Sequence, residues 1–228
     1  MQHPLDRALT ILATAFPATP REAFAALSIG QRDSYLLWLR ELTFGPQLNS
    51  YVECSQCQER LEFTLPVAAL RFAGTGEVGE QPYELAVEDH RLSFRLPDSR
   101  DLAAAAVCKG TASARRVLLE RCVLQANRDD SPVPVRELPA GVVELLAAQM
   151  ATCDPQAEVL LNLRCPACDY DWQVLFDIVT FFWAEIAAQA KRLLHEAHLL
   201  ARAYAWAEAD ILAMSAWRRE CYLNMVGA

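Results

Sequence analysis

The sequence predicts an α+β protein, mostly helical, with two small β-hairpins facing each other across a shared site. Three observations carry that prediction. Two short cysteine knuckles, Cys54-Ser55-Gln56-Cys57 and Cys165-Pro166-Ala167-Cys168, each lie between stretches with strand-like alternation. The segments around them carry apolar residues at helical spacing, with capping and stop signals at their ends. From Ile178 to Tyr204 one apolar stripe continues at intervals of three and four residues.

Residues 1–47 read as N-terminal helices. Leu5, Leu9 and Leu12 give one apolar face, ended by Phe16-Pro17, and Thr19-Pro20-Arg21-Glu22 reads as a helix start with Thr19 as N-cap. A third helix, expected over 31–42, carries Tyr35, Leu36, Trp38 and Leu39 and stops at Gly45-Pro46. Residues 48–74 and 151–176 supply the two hairpins, each a strand, a knuckle and a second strand. In the first, Leu61, Phe63 and Leu65 alternate with Arg60, Glu62 and Thr64. Residues 75–150 look inserted between these halves. They comprise a glycine-rich loop (Gly74, Gly76, Gly79), a strand pair over 83–87 and 91–96, and a helix capped by Asp98 or Ser99. A helix over 113–125, a turn-rich loop over 127–134 and a helix from Pro139 to about Met150 complete the insertion. Residues 177–228 form a long helical arm, capped by Asp177, broken near Ala205-Trp206 and continued by two shorter helices.

Two thiolate pairs across tight turns make the tetrahedral four-sulfur set of a structural zinc site. Cys54, Cys57, Cys165 and Cys168 are the expected ligands of one zinc per chain, and two such hairpins are the architecture of a zinc ribbon. With four protein ligands no position is left for water or substrate, so the site reads as a clamp and not a catalyst. Disulfides or buried free thiols are the competing reading of the same pairs. Cys108, Cys122, Cys153 and Cys221 show no ligand spacing. Without a secretory signal, a reduced, cytoplasmic setting is expected. No apolar run approaches the length of a bilayer span.

The formal charge of −8 argues against nucleic acid as a partner, because phosphate binding needs a basic face. Basic residues are scattered apart from the doublets Arg115-Arg116 and Arg218-Arg219. His195 and His198 lack a third ligand, no phosphate loop or nucleophile elbow is present, and no catalytic residue stands out. The expectation is a protein that is not an enzyme and takes no small-molecule substrate. The arm is apolar beyond one stripe, which makes Trp206, Trp217, Arg218, Arg219 and Tyr222 the candidate partner contacts.

Phe176-Asp177-Ile178, Phe182-Trp183-Ala184-Glu185-Ile186, Leu194-x-Glu196-x-His198-Leu199-x-Ala201 and Tyr204-x-Trp206 carry a resemblance, with Asp210-Ile211-Leu212 and Arg218-Arg219-x-x-Tyr222-Leu223. Together with Phe94-Arg95-Leu96-Pro97-Asp98-x-x-Asp101-Leu102 and the cysteine pairs, they resemble T4-like phage baseplate hub assembly chaperones and baseplate proteins. These are encoded with contractile tails and contractile injection systems. Ala205 and Ala207 depart from the pattern at the helix break, where a turn or capping residue is expected. The resemblance implies a structural or assembly protein of the baseplate hub region, in or assembling into a phage-tail-like particle, with other baseplate, hub or tail proteins as partners. A zinc-ribbon nucleic-acid-binding or regulatory module is the alternative.

Overall fold

The computed structural model describes residues 4–72 and 82–227. The expected glycine-rich loop over 74–79 lies outside the described residues. The chain divides into two compact units, one up to Val179 and one from Thr180 onward.

The first unit opens with α1 (Pro4–Ala15), α2 (Arg21–Ala25) and α3 (Ile29–Phe44). Leu9, Leu12, Phe24, Leu36 and Leu37 are buried, and Phe16 closes the bundle, 5.8 Å from Phe24 and stacked 5.9 Å from Trp38. Two details differ from expectation. Pro20, not Thr19, is the N-cap of α2, and no side chain caps it. The third helix starts two residues earlier, because Ser28 and Gln31 form a reciprocal capping box that satisfies two otherwise orphaned N–H groups.

At the end of α3 the buried Arg40 donates to the Gly45 and Gln47 carbonyls at 2.8 and 2.7 Å. This turn, with Gly45 at φ 88°, launches β1 (Gln47–Glu53), which pairs antiparallel with β2 (Arg60–Pro66) in the register Ser50–Phe63 and Val52–Leu61. The second hairpin is β7 (Val159–Arg164) with β8 (Asp171–Phe176), in the register Leu161–Val174 and Leu163–Trp172.

Between the hairpins lie β3 (Tyr83–Val87), β4 (His90–Phe94), α4 (Ser99–Ala106), α5 (Thr111–Cys122), β5 (Val123–Arg128), the two-residue β6 (Ser131–Pro132) and α6 (Ala140–Cys153). The expected strand pair is thus part of a four-stranded antiparallel sheet in the order β3-β4-β5-β6. The helix expected to run to residue 125 stops at Cys122, since Val123 and Ala126 pair with Phe94 and Leu92 on β4. Leu92, Phe94, Val123 and Ala126 bury against Leu138, Val142 and Leu146 from the α6 side. Asp98 caps α4 and shares a capping box with Asp101. Asp101 is fully buried and receives both Arg95 Nη atoms at 2.6 and 2.9 Å and Arg121 Nε at 2.7 Å.

From Asp177, whose carboxylate accepts the Val179 N–H at 2.9 Å, α7 (Ile178–Tyr204) runs from the first unit into the second. The second unit adds α8 (Glu208–Ala213) and α9 (Ala216–Val226). Ala205, at the expected break, adopts the left-handed conformation at φ 56°, which ends α7 at Tyr204. Leu200 and Ile211 are fully buried in this unit and pack with Tyr204, Trp206, Tyr222 and Leu223. Among the described residues no helix is long and apolar enough to cross a membrane.

Candidate metal centre

The two knuckles are built alike. Each first cysteine donates its N–H across the turn, Cys54 to the Glu59 carbonyl and Cys165 to the Tyr170 carbonyl, both at 2.9 Å. Each in turn accepts through its carbonyl, from Gln58 N and Asp169 N, again at 2.9 Å. The turn needs a left-handed residue directly after the second cysteine, and Gln58 (φ 63°) and Asp169 (φ 58°) supply it where a glycine would carry less strain. Beyond the knuckles the last cross-strand pairs have opposite polarity, Glu53 with Arg60 on one hairpin and Arg164 with Asp171 on the other.

The hairpin tips bring all four expected cysteines together. Their sulfurs lie within 4.8 Å of one another, with Cys54 and Cys165 buried and Cys57 and Cys168 exposed. Across the hairpins Cys54 Sγ is 3.7 Å from Cys168 Sγ, and Cys57 Sγ is 3.6 Å from Cys165 Sγ. A disulfide needs about 2.0 Å. Four sulfurs placed tetrahedrally about 2.3 Å from one ion are about 3.8 Å apart, close to both cross-hairpin distances. The arrangement can therefore hold one metal ion in an all-thiolate shell.

Metal-free, the Cys54 and Cys168 thiols hold their protons unequally. Burial alone would raise Cys54, but the Cys57 and Gln56 N–H groups and the thiols of Cys57 and Cys165 bring it down to about 7. At Cys168 the Tyr170 N–H favours the thiolate, yet burial and the three neighbouring sulfurs push it up to about 12. A divalent cation would relieve this crowding, since each thiolate gains more from the ion than it loses to its neighbours.

The bases of the hairpins are held together as well. Gln156, just before β7, donates Nε2 to the Leu70 carbonyl at 2.9 Å and accepts the Phe72 N–H at 3.1 Å, both just after β2. Asp154 accepts the Gly30 N–H at 2.9 Å, tying the approach to β7 to the start of α3. The cysteine spacing points to the four clustered sulfurs; nothing in that spacing points to Gln156 or Asp154, which are polar residues buried far from their partners in sequence. The other cysteines lie elsewhere. Cys122 is buried beside Asp101, and burial followed by that carboxylate pushes its thiol up to about 12, as befits a packed, protonated side chain.

The five candidate partner contacts all lie in the second unit, in unequal settings. Trp206 stacks on Tyr204 at 4.5 Å and meets Tyr222 edge-on at 4.8 Å. Arg219 donates to Glu196 at 3.2 Å and to the Met214 carbonyl at 2.6 Å. Arg218 lies 5.8 Å from the Tyr222 ring centre, and Trp217 is 75% exposed.

A protein-family model described as T4 bacteriophage base plate protein matches residues 7–183, which takes in both hairpins, the sheet between them and the start of α7. The chain belongs to this family. This baseplate protein has no match among curated proteins and none among solved structures. Family membership makes it a structural component of a phage baseplate with other baseplate proteins as its partners.

Proposed function

We propose that this baseplate protein is a zinc-clamped, non-catalytic scaffold that helps build, or remains in, the hub region of a contractile tail or contractile injection system. The observation that carries the reading is the four-sulfur cluster set into a baseplate-family fold. One zinc per chain closes the two hairpins into a ribbon, with Cys54, Cys57, Cys165 and Cys168 as its ligands. The soft donors and the tetrahedral spacing both favour zinc over a hard, oxygen-preferring cation.

The second unit is the docking element. Trp206, Tyr222 and Arg219 serve mainly to hold the fold of that unit, so the contact with a partner falls most heavily on Trp217 and Arg218. Tryptophan and arginine are among the residues most enriched in interface hot spots.

Purification of intact particles tests the reading. The chain should be present in stoichiometric amount with about one zinc per copy, or be required for hub assembly while absent from the finished particle. Replacing Trp217 and Arg218 by alanine should leave zinc content and melting unchanged and abolish incorporation or assembly. Normal particles from a strain lacking the chain would refute the function. Salt-sensitive retention of the protein on DNA would instead support a nucleic-acid-binding module.

A further inference from the structure

The negative charge of the chain is unevenly spread. Residues 180–228 hold five basic and five acidic side chains, so the whole excess of −8 falls on residues 1–179. Within that stretch many arginines are matched to carboxylates: Arg21 to Asp6, Arg32 to Asp33, Arg95 and Arg121 to Asp101, Arg128 to Asp89. Arg115 and Arg116 are different. Both are exposed on the first turns of α5, and neither has a hydrogen-bond or ion-pair partner among the described residues.

The two arginines border a groove of about 550 Å³ between α5 and α6. Its apolar lining comes from Leu119, Val135, Leu138 and Val143, which belong to or pack on the core beneath the sheet. Arg136 lines the groove as well and is only loosely held, 3.7 Å from Glu137, which is also exposed. Glu120 and Glu144 are the carboxylates in the lining, so three guanidinium groups meet two acids. In a unit that is otherwise strongly acidic, this is a local reversal of sign over an apolar floor.

We propose that the α5–α6 groove receives an acidic amphipathic helix of a neighbouring baseplate subunit. Apolar residues of that helix seat on Leu119 and Val143, and its carboxylates pair with Arg115 and Arg116. The volume suits a few apolar side chains rather than a single one. Unpaired arginines beside an apolar floor are the composition of an interface and are poorly used by solvent alone. Nucleic acid fits less well, because Glu120, Glu144 and the surrounding negative charge oppose a phosphate backbone. The proposal rests on the baseplate reading only for the origin of the helix; the groove and its charge stand without it.

The test uses the full-length protein and labelled helical peptides of about 16 residues, a length that spans such a groove, followed by fluorescence anisotropy. One peptide carries leucines at helical spacing flanked by glutamates; the second has lysines in place of the glutamates; the third has serines in place of the leucines. The glutamate–leucine peptide should bind, and the other two should not. R115E/R116E should weaken binding about tenfold or more, and E120Q should tighten it, because close charge pairs at interfaces are strongly coupled. Both sites are exposed, so melting should not change; if the double variant fails to fold, R136E gives the same readout. Absence of binding, equal affinity for R115E/R116E, or preference for the lysine peptide or a DNA oligonucleotide would overturn the proposal. The particle experiment above is separate, so failure here leaves the baseplate role standing.

Discussion

Replacing Gly30 by alanine should destabilise the protein, against what helix propensity alone would do. Gly30 is the second residue of α3, where alanine ordinarily gains about 0.5–1 kcal/mol. Here an added Cβ would stand 1.8 Å from Asp154 Oδ1, 2.6 Å from its Cγ and 2.9 Å from the Ala157 backbone nitrogen. The carboxylate must leave, which strips the buried Gly30 N–H of its acceptor at a cost of about 1–3 kcal/mol. The backbone near Ala157 must also shift, and overpacking of this kind costs about 1–3 kcal/mol. After the propensity gain, the net loss is about 1–5 kcal/mol. Urea unfolding followed by circular dichroism reads it directly: with a slope of about 2 kcal/mol per molar, the midpoint should fall by about 0.5–2.5 M. Gly141 is the internal control, being also the second residue of its helix but with nothing within 4 Å of where an added Cβ would stand. Its alanine variant should gain up to about 1 kcal/mol. If both variants gained stability, the Gly30–Asp154 contact would not be holding the approach to the second hairpin.

Three further outcomes follow from buried polar groups. Gln156→Leu should cost about 2–4 kcal/mol, since it removes both the hydrogen bond to the Leu70 carbonyl and the one from the Phe72 N–H; it should also weaken metal retention in a chelator competition, which a variant affecting only the core would not do. Asp101→Asn should cost about 3 kcal/mol, because the buried carboxylate's ion pairs are broken although Arg95 and Arg121 can still reach solvent. Burial opposes ionisation of Asp101, yet Arg95, the Asp98 N–H and Arg121 hold its carboxyl well below the usual range. Its contribution is therefore present above pH about 4 and lost as the pH falls further, so the gap between wild type and the variant should narrow in acid, as melting curves across pH would record. Asp33 works in the opposite sense. Burial raises it to about 6, with Asp177 and Asp154 adding to the rise and Arg32 opposing it. The folded state thus keeps a proton that the unfolded chain has released, and stability from this group falls between about pH 4 and 6. Relative to wild type, Asp33→Asn should become less destabilising by up to about 3 kcal/mol from pH 4 to 7, and a pH-independent difference would refute this.

The parts of the fold that were legible in the sequence are those decided by near neighbours. Cysteine spacing, period-2 strands beside each knuckle, and the stripe of α7 are local patterns, and each hairpin folds on itself. The end of α5 was not legible. Cys122-Val123-Leu124 continues a helical pattern as well as it begins a strand, and only pairing of Val123 and Ala126 with β4 decides between them. The Ser28–Gln31 capping box was present in the sequence, but Gly30 inside the first turn hides a helix start. Charge behaved similarly. The Arg115-Arg116 doublet was visible, while its standing unpaired beside an apolar groove depends on which helices fold alongside. The left-handed turn after each knuckle carries no glycine to signal it, and Gln58 and Asp169 adopt it despite the strain.

The separation of the two knuckles has a consequence for how the protein is made. Cys57 and Cys165 stand 108 residues apart. At a synthesis rate of about 5–20 residues per second, the second knuckle leaves the ribosome about 5–20 s after the first. A metal ion arriving in that interval finds only two sulfurs, a weak and exchangeable perch. Full coordination waits until the insertion has been made and β7 has returned to its place beside the first hairpin. Were a metal captured in a centre divided in this way, its capture would act as a late proofreading step: a nascent chain whose insertion kept β7 from the first hairpin would lack the complete four-sulfur set.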